Sequence, residues 1–394
     1  MKKVFVIGGG ASGITAAIFA AQAGAEVRVL EKENIPMKKL ARTGNGKCNI
    51  SNMKIEEHSF MSNNYMKAYD IYRQFDTTRT FAFFERLGIP VINKGRDELY
   101  PACESAASVV KILRLEAERL GVKIKNSEYV QDLDRNGGNF TLHTDHWEYK
   151  ADSVIVACGT NASTGSEEEM LTEKLAAKYS LSFHKYLPAL ARLYSNGGFL
   201  KKWSGVRVFG VVRLLVDDVC VTENYGELQL TDCGISGIPI FDISRFVNIV
   251  YDMKKHSQEL ELDFFPDLSD EELTAEIQRI CTGSGKTVRQ ALLGLIPEKL
   301  IHAIIREEDS PEAAAAAIKR FRMPVTAPSK ISEAQVCTGG LDLDEISLDM
   351  ECLKLPGLFF CGEALDADGM CGGFNLQWAW TTGALAGQKA AEFI

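Results

Sequence analysis

The amino-acid sequence predicts an α/β fold whose parallel sheet is assembled from both ends of the chain, with a β-barrel insertion and a helical insertion between the two segments. Three observations carry this expectation. An apolar run, Val4-Phe-Val-Ile, enters Gly8-Gly-Gly10-Ala-Ser-Gly13, which opens an alanine-rich run and then a second strand, Val27-Arg-Val-Leu-Glu31. Far along the chain, Leu358-Phe-Phe-Cys enters Gly362-Glu363 and a further small-residue helical pattern. Between these ends the pattern changes near Pro188 to short strands with turns, and later to helices.

The first segment has every part of a Rossmann-like βαβ dinucleotide-binding unit. Gly8 allows the tight turn, Gly10 lets backbone approach a pyrophosphate, and Gly13 lets the helix pack closely on the strand. Ala11 and Ser12 sit in the first helical turn, whose unpaired N–H groups and partial positive charge suit phosphate. Glu31 ends the second strand, placed to accept hydrogen bonds from ribose hydroxyls and to repel a 2′-phosphate. Lys32 follows it.

Next comes a loop dense in Gly, Asn and cations, with Arg42, Gly44, Gly46, Lys47, Cys48 and Asn49. Its glycines let backbone pass close to a flat ligand, and Lys47 and Asn49 are placed to contact a ring edge or a substrate. Residues 64–88 read as helical, Ile89 to Pro101 as a short hairpin carrying Tyr100, and Ala106 to Leu120 as an amphipathic helix closed by Gly121. Strands follow around 122–125, 128–134 (with Val130) and 139–144. Ala151 to Thr160 reads as a buried parallel strand whose end, Cys158-Gly159, is a small-residue turn.

The second glycine-rich segment is the pattern with which flavin folds hold a ribityl chain and pyrophosphate. Gly362 and Glu363 end the strand. Asp368, Gly373, Phe374, Asn375 and Leu376 lead into a helix whose positive end would stabilise an anionic reduced flavin. Domain boundaries are expected at 1–188 with 334–394 for the cofactor domain, 189–243 with 322–333 for the β-barrel insertion, and 244–321 for the helical insertion. Within the last, Ser269-Asp-Glu-Glu272 is a capping box, and Ser310-Pro311 is an N-cap with a first-turn proline.

Composition narrows the function. The chain has 394 residues, 46% hydrophobic and 25% charged, with a formal net charge of −9. That suits a multidomain globular protein and argues against a nucleic-acid or anionic-membrane partner held by bulk electrostatics. The first strand begins by residue 3 or 4, so a cytoplasmic location is expected. The ten cysteines show no C-x-x-C spacing and the six histidines no cluster, so no metal site is expected. His143 and His146 are expected in a surface hairpin, and Cys48 and Cys371 raise a reactive-thiol hypothesis. Thr282-Gly-Ser-Gly-Lys286-Thr287 imitates a phosphate loop, but Ile280 stands where that motif needs glycine, so a loop between helices is expected.

Taken together, these motifs resemble the BaiN/RdsA-type NAD(P)/FAD-dependent oxidoreductases, the YhiN-like or aminoacetone-oxidase-like flavoproteins. The matching stretches are Gly8 to Gly13, Lys39 to Asn49, Gly226 to Gly237, Val336 to Gly340, Gly362 to Gly369 and Gly372 to Gly383. The resemblance implies a two-segment FAD domain of the glutathione-reductase type, and FAD rather than NAD at Gly8. Three positions depart from the family's usual pattern: Thr43-Gly-Asn-Gly-Lys47, Asp232-Cys233 and Cys371. They bear on substrate more than on cofactor.

The expected function is an NAD(P)H-driven FAD reductase of an activated C=C in a small molecule, with NADH or NADPH docking transiently, since one dinucleotide motif is present. Tyr100, Lys47 and Glu363 are the candidate proton donors. Two alternatives stand beside it. One is a flavin-dependent oxidase or dehydrogenase of small amines. The other is a non-catalytic flavin-binding redox sensor or assembly partner, or an accessory to RNA modification, the acidic charge disfavouring the RNA version.

Overall fold

The computed structural model describes residues 1–95, 97–163, 169–253 and 256–392. Two compact units emerge, Met1–Tyr186 with Val336–Ile394, and Leu187–Gln335.

The first unit is organised by a five-stranded parallel sheet. β1 (Lys3–Ile7) is central, flanked by β2 (Glu26–Leu30) on one side and Ser153–Val156 on the other. Lys123–Lys125 extends the sheet past β2, and Leu358–Phe360 extends it past Ser153–Val156. The inner strands read as continuous apolar runs because both sheet faces are covered: Val4, Val6, Val29, Val154, Ile155 and Phe359 are fully buried. The first helix, α1 (Ala11–Gln22), lies against the last helix, Phe374–Glu392. Small residues make that contact. A Cβ on Gly383 would fall 2.5 Å from the Ser12 carbonyl oxygen, and one on Gly387 2.2 Å from that of Ala16. The last helix is buried on nearly every side, which explains its weak amphipathic pattern.

The stretch read as helical over 64–88 is two helices, Tyr65–Gln74 and Thr77–Arg86. The break has a local cause: Asp76 takes an extended conformation and its side chain accepts from the Arg79 N–H, capping the second helix. Phe83 and Phe84 then pack inward, Phe84 edge-on to Trp380 at 5.2 Å. A three-stranded antiparallel sheet, Val130–Asn136, Asn139–Thr144 and Glu148–Ala151, completes this unit's main elements.

The second unit has its own core around Trp203, Leu214, Leu260 and Ile318. Its six-stranded sheet is built on the hairpin Arg207–Val216 and Val219–Leu230, turned by Asp217 and Asp218, both at positive φ. Past the edge strand Phe321–Pro324, Ala327 makes an isolated antiparallel bridge to Tyr194 in the opposite edge strand. Sheet and helices are not separated in sequence as expected. Helix Ile238–Met253 starts ahead of residue 244, and Gln258–Asp263 is a strand between Arg207–Val216 and Phe321–Pro324. Its alternation Glu259-Leu-Glu-Leu262 has a strand's period, not a helix's. The predicted caps at Ser269 and Ser310 are formed. The phosphate-loop look-alike is the end of Asp270–Ser284, a left-handed Gly285 cap, and Thr287 capping Val288–Leu292.

Candidate functional site

The glycine turn after β1 is packed on one side and open on the other. Gly8 has φ +103°, and a Cβ there would sit 2.4 Å from the Ala157 carbonyl oxygen. A Cβ on Gly13 would sit 2.0 Å from the Gly8 carbonyl oxygen. Gly10 is different: nothing lies within 4 Å of where its Cβ would be. Gly10 is also the N-cap of α1, and no side chain caps that end. The first-turn N–H groups of Ala11, Ser12 and Gly13 therefore border space that an anion fits.

Glu31 is buried beside this turn. Its Oε2 accepts from the Gly9 N–H at 2.6 Å and its Oε1 from the Glu33 N–H at 2.8 Å. Its backbone carbonyl accepts from Glu128, two residues ahead of the buried Val130. The carboxylate is fixed by backbone, with lone pairs left for ribose hydroxyls. Lys32 and Arg42 are exposed.

The far end of the chain closes on the same turn. Gly362 has φ +69°, and a Cβ there would fall 2.4 Å from Ser12 Oγ. Its N–H donates to Thr382 Oγ1 at 2.9 Å, and Trp378 Nε1 donates to its carbonyl at 3.2 Å. Glu363, the next residue, is bidentate with Lys39: Nζ lies 2.8 Å from both carboxylate oxygens. Thr160 Oγ1 donates to the same carboxylate at 2.9 Å. Thr160 follows Cys158 and Gly159, where φ is +65°. Cys158 Sγ meets Thr172 Oγ1 at 3.2 Å, and burial pushes its thiol up.

The loop after β2 meets the start of the last helix. A Cβ on Gly373 would lie 2.4 Å from the Ser51 carbonyl oxygen and 2.7 Å from Asn49 Oδ1. A Cβ on Gly44 would lie 2.8 Å from the Asn49 nitrogen. Asn49 Oδ1 is buried with no hydrogen-bond partner. The Asn375 side chain accepts from Gly369 N–H at 2.9 Å and donates to the Gly369 carbonyl at 2.8 Å, fixing the turn after Asp368. Phe374 is buried and Leu376 half-buried. Gln377 is fully buried, accepting from Ser51 Oγ and donating to Phe75 O, Thr80 Oγ1 and Thr381 Oγ1.

Burial pushes the Tyr100 phenol up to about 12, with Glu98 adding to the shift. Its hydroxyl donates to Glu98 Oε2 at 3.3 Å. Lys47, beside the exposed Gly46, pairs with Glu104 at 3.2 Å. Lys94 also pairs with Glu104, and both lysines hold that carboxyl below its usual range. Cys48 is fully buried at positive φ, and burial pushes its thiol up to about 12. That corrects the reactive-thiol hypothesis for Cys48, since the thiolate is the nucleophile.

The open face at Gly10, the uncapped α1 and the orphaned Asn49 oxygen fit a dinucleotide carrying a flat, hydrogen-bonding ring. Lys39, Thr160, Glu98 and Gln377 escaped the sequence reading. Lys39 stands in a matched motif and Thr160 follows Gly159, but only folding shows that both reach Glu363.

The model of the family described as "HI0933-like protein Rossmann domain" matches residues 2–389. The chain belongs to this family. Its first unit is accordingly of the Rossmann type. A 3-dehydro-bile acid delta(4,6)-reductase from Clostridium scindens is 34% identical over 100% of both chains. A ribosomal RNA dihydrouridine synthase from Haemophilus influenzae is 25% identical, over 96% of this chain and 95% of that protein. One from Escherichia coli is 23% identical over the same shares. No helix among the described residues is long and apolar enough to cross a membrane.

Proposed function

We propose that this protein is an FAD-dependent, NAD(P)H-driven reductase of carbon–carbon double bonds conjugated to a carbonyl, acting on a small organic molecule in the cytoplasm. The observation that carries this reading is the end-to-end match, at 34% identity, to a protein named as a reductase of 3-dehydro-bile acids. The dihydrouridine synthases' name describes the same kind of change, hydrogens added across a double bond beside a carbonyl. The net charge of −9 favours a small-molecule substrate over RNA.

When bound, FAD would supply the hydride. The chain's residues bind and orient it. The first turn of α1 would hold the pyrophosphate, Glu31 the adenosine ribose, and Glu363 the ribityl side, while Asn49 and the start of the last helix would border the ring system. Hydride addition at a β-carbon leaves an enolate that needs a proton at its α-carbon. Tyr100 is the donor in this reading: its phenol carries its proton at neutral pH, and that proton is held by a hydrogen bond to Glu98 Oε2 at 3.3 Å rather than by an ion pair. Glu363 is tied to Lys39 through both oxygens, and Lys47 is tied to Glu104.

The test is product analysis under anaerobic turnover with NADH or NADPH. A 3-oxo-4,6-diene bile acid, cyclohexenone and a ribosomal RNA fragment are offered separately, and aminoacetone is offered in air without nucleotide. The reading expects an enone to gain hydrogen across its double bond. Dihydrouridine formed in the RNA with no enone reduced would replace it with RNA modification. Aminoacetone oxidised, with peroxide in air, would replace it with amine oxidation.

A further inference from the structure

The Lys39–Glu363 pair joins residues 324 positions apart and, through Gly362, lies next to the first turn of α1. Both partners are carried there by the glycine turn itself. On one side, the Met37 N–H donates to the Gly9 carbonyl at 2.8 Å, so the segment leading to Lys39 is fastened to the turn. Met37 adopts positive φ, and the Arg42 N–H bonds back to the Lys39 carbonyl at 3.0 Å. On the other side, Gly362 packs against Ser12 in the first turn of α1, which leaves Glu363 next to that helix end. Thr160, four residues past the strand Ser153–Val156, donates to Glu363 as well.

A carboxylate beside a phosphate site is a like charge that opposes pyrophosphate binding. An ammonium bridging both anions removes the repulsion and adds a charge-assisted hydrogen bond. Lys39 can serve both partners: it has three N–H donors, and its side chain is 41% exposed while Glu363 is 24% exposed.

We propose that Lys39 is a phosphate-binding residue of the dinucleotide site, its ammonium held in place by Glu363, whose carboxylate Thr160 positions. The proposal rests on the dinucleotide reading of that site but not on the reaction. Lys39 positions cofactor and takes no part in chemistry.

Equilibrium binding to flavin-free protein tests it, with FAD, ADP and adenosine as probes. The variant K39Q should bind FAD and ADP about tenfold to a hundredfold more weakly. It should bind adenosine unchanged, and its ADP affinity should depend less on salt. K39R should recover most of the loss. K39Q/E363Q should stay weak toward ADP, because removing the repelling carboxylate does not replace a phosphate ligand. Wild-type ADP affinity in K39Q, or full recovery in K39Q/E363Q, would overturn the proposal, as would an equal loss for adenosine. If wild-type protein binds FAD tightly yet reduces no alkene, the proposed reaction fails and the role of Lys39 stands.

Discussion

At the scale of single residues, two glycines of one motif have opposite constraints. Gly13 is packed, since a Cβ there would meet the Gly8 carbonyl oxygen at 2.0 Å, whereas Gly10 faces open space at φ −77°. Gly13→Ala should therefore lower apo-protein stability by about 1–3 kcal/mol through overpacking. Gly10→Ala should fold with an unchanged melting temperature and lose FAD affinity, because the new methyl occupies ligand space. Thermal melts with and without FAD check both. Tyr100 gives a second prediction. Its phenol is pushed up to about 12, so it stays protonated and competent as a donor through neutral and moderately alkaline pH. The rate of enone reduction should carry no Tyr100-dependent fall below about pH 11, and Tyr100→Phe should lower turnover about 10²-fold or more. FAD binding by that variant should be unaltered. These motif positions were legible in the sequence because spacing alone gave each glycine a task. The ties that fix Glu31 were not, since its acceptors' partners are backbone N–H groups of Gly9 and Glu33, which composition does not reveal.

At the scale of elements, the last helix is the keystone of the first unit. Gly383 and Gly387 bring it against α1, Gln377 gathers four buried partners, and Trp378 and Trp380 donate to the carbonyls of Gly362 and Ile50. Gly387→Ala would drive a methyl into the Ala16 carbonyl and push the two helices apart. It should destabilise the protein by about 1–3 kcal/mol, measurable by urea unfolding, and weaken FAD binding because Gly362 and Ser12 lose their registry. The sequence exposed this helix through its glycines and small residues and through the strand before it. The contact it serves stayed hidden, because the partner lies more than three hundred residues earlier in the Gln377–Ser51 and Trp380–Ile50 pairs. Gln258–Asp263 is a strand inside the span expected to be helical, for a different reason. Its charged alternation lies in a stretch whose neighbours are helical, and only pairing with Arg207–Val216 and Phe321–Pro324 makes it a strand.

At the scale of the whole molecule, the chain has two separate hydrophobic cores in two compact units, and every residue assigned here to the cofactor lies in the first. Calorimetry should resolve two transitions, of which FAD raises only one. At a hundredfold excess over the dissociation constant, that transition should gain about 2.7 kcal/mol. A single transition, or an equal shift of both, would show that the units unfold as one. The central claim is a pyridine-nucleotide-driven flavin reductase of conjugated alkenes, and the most direct measurement is flavin absorbance under anaerobic mixing. FAD-loaded protein is mixed with NADH and, separately, NADPH, and an enone is then added. The account predicts that at least one nucleotide bleaches the flavin and that the enone restores its colour with consumption of the double bond. A flavin that neither nucleotide bleaches, although dithionite reduces it, would contradict the account.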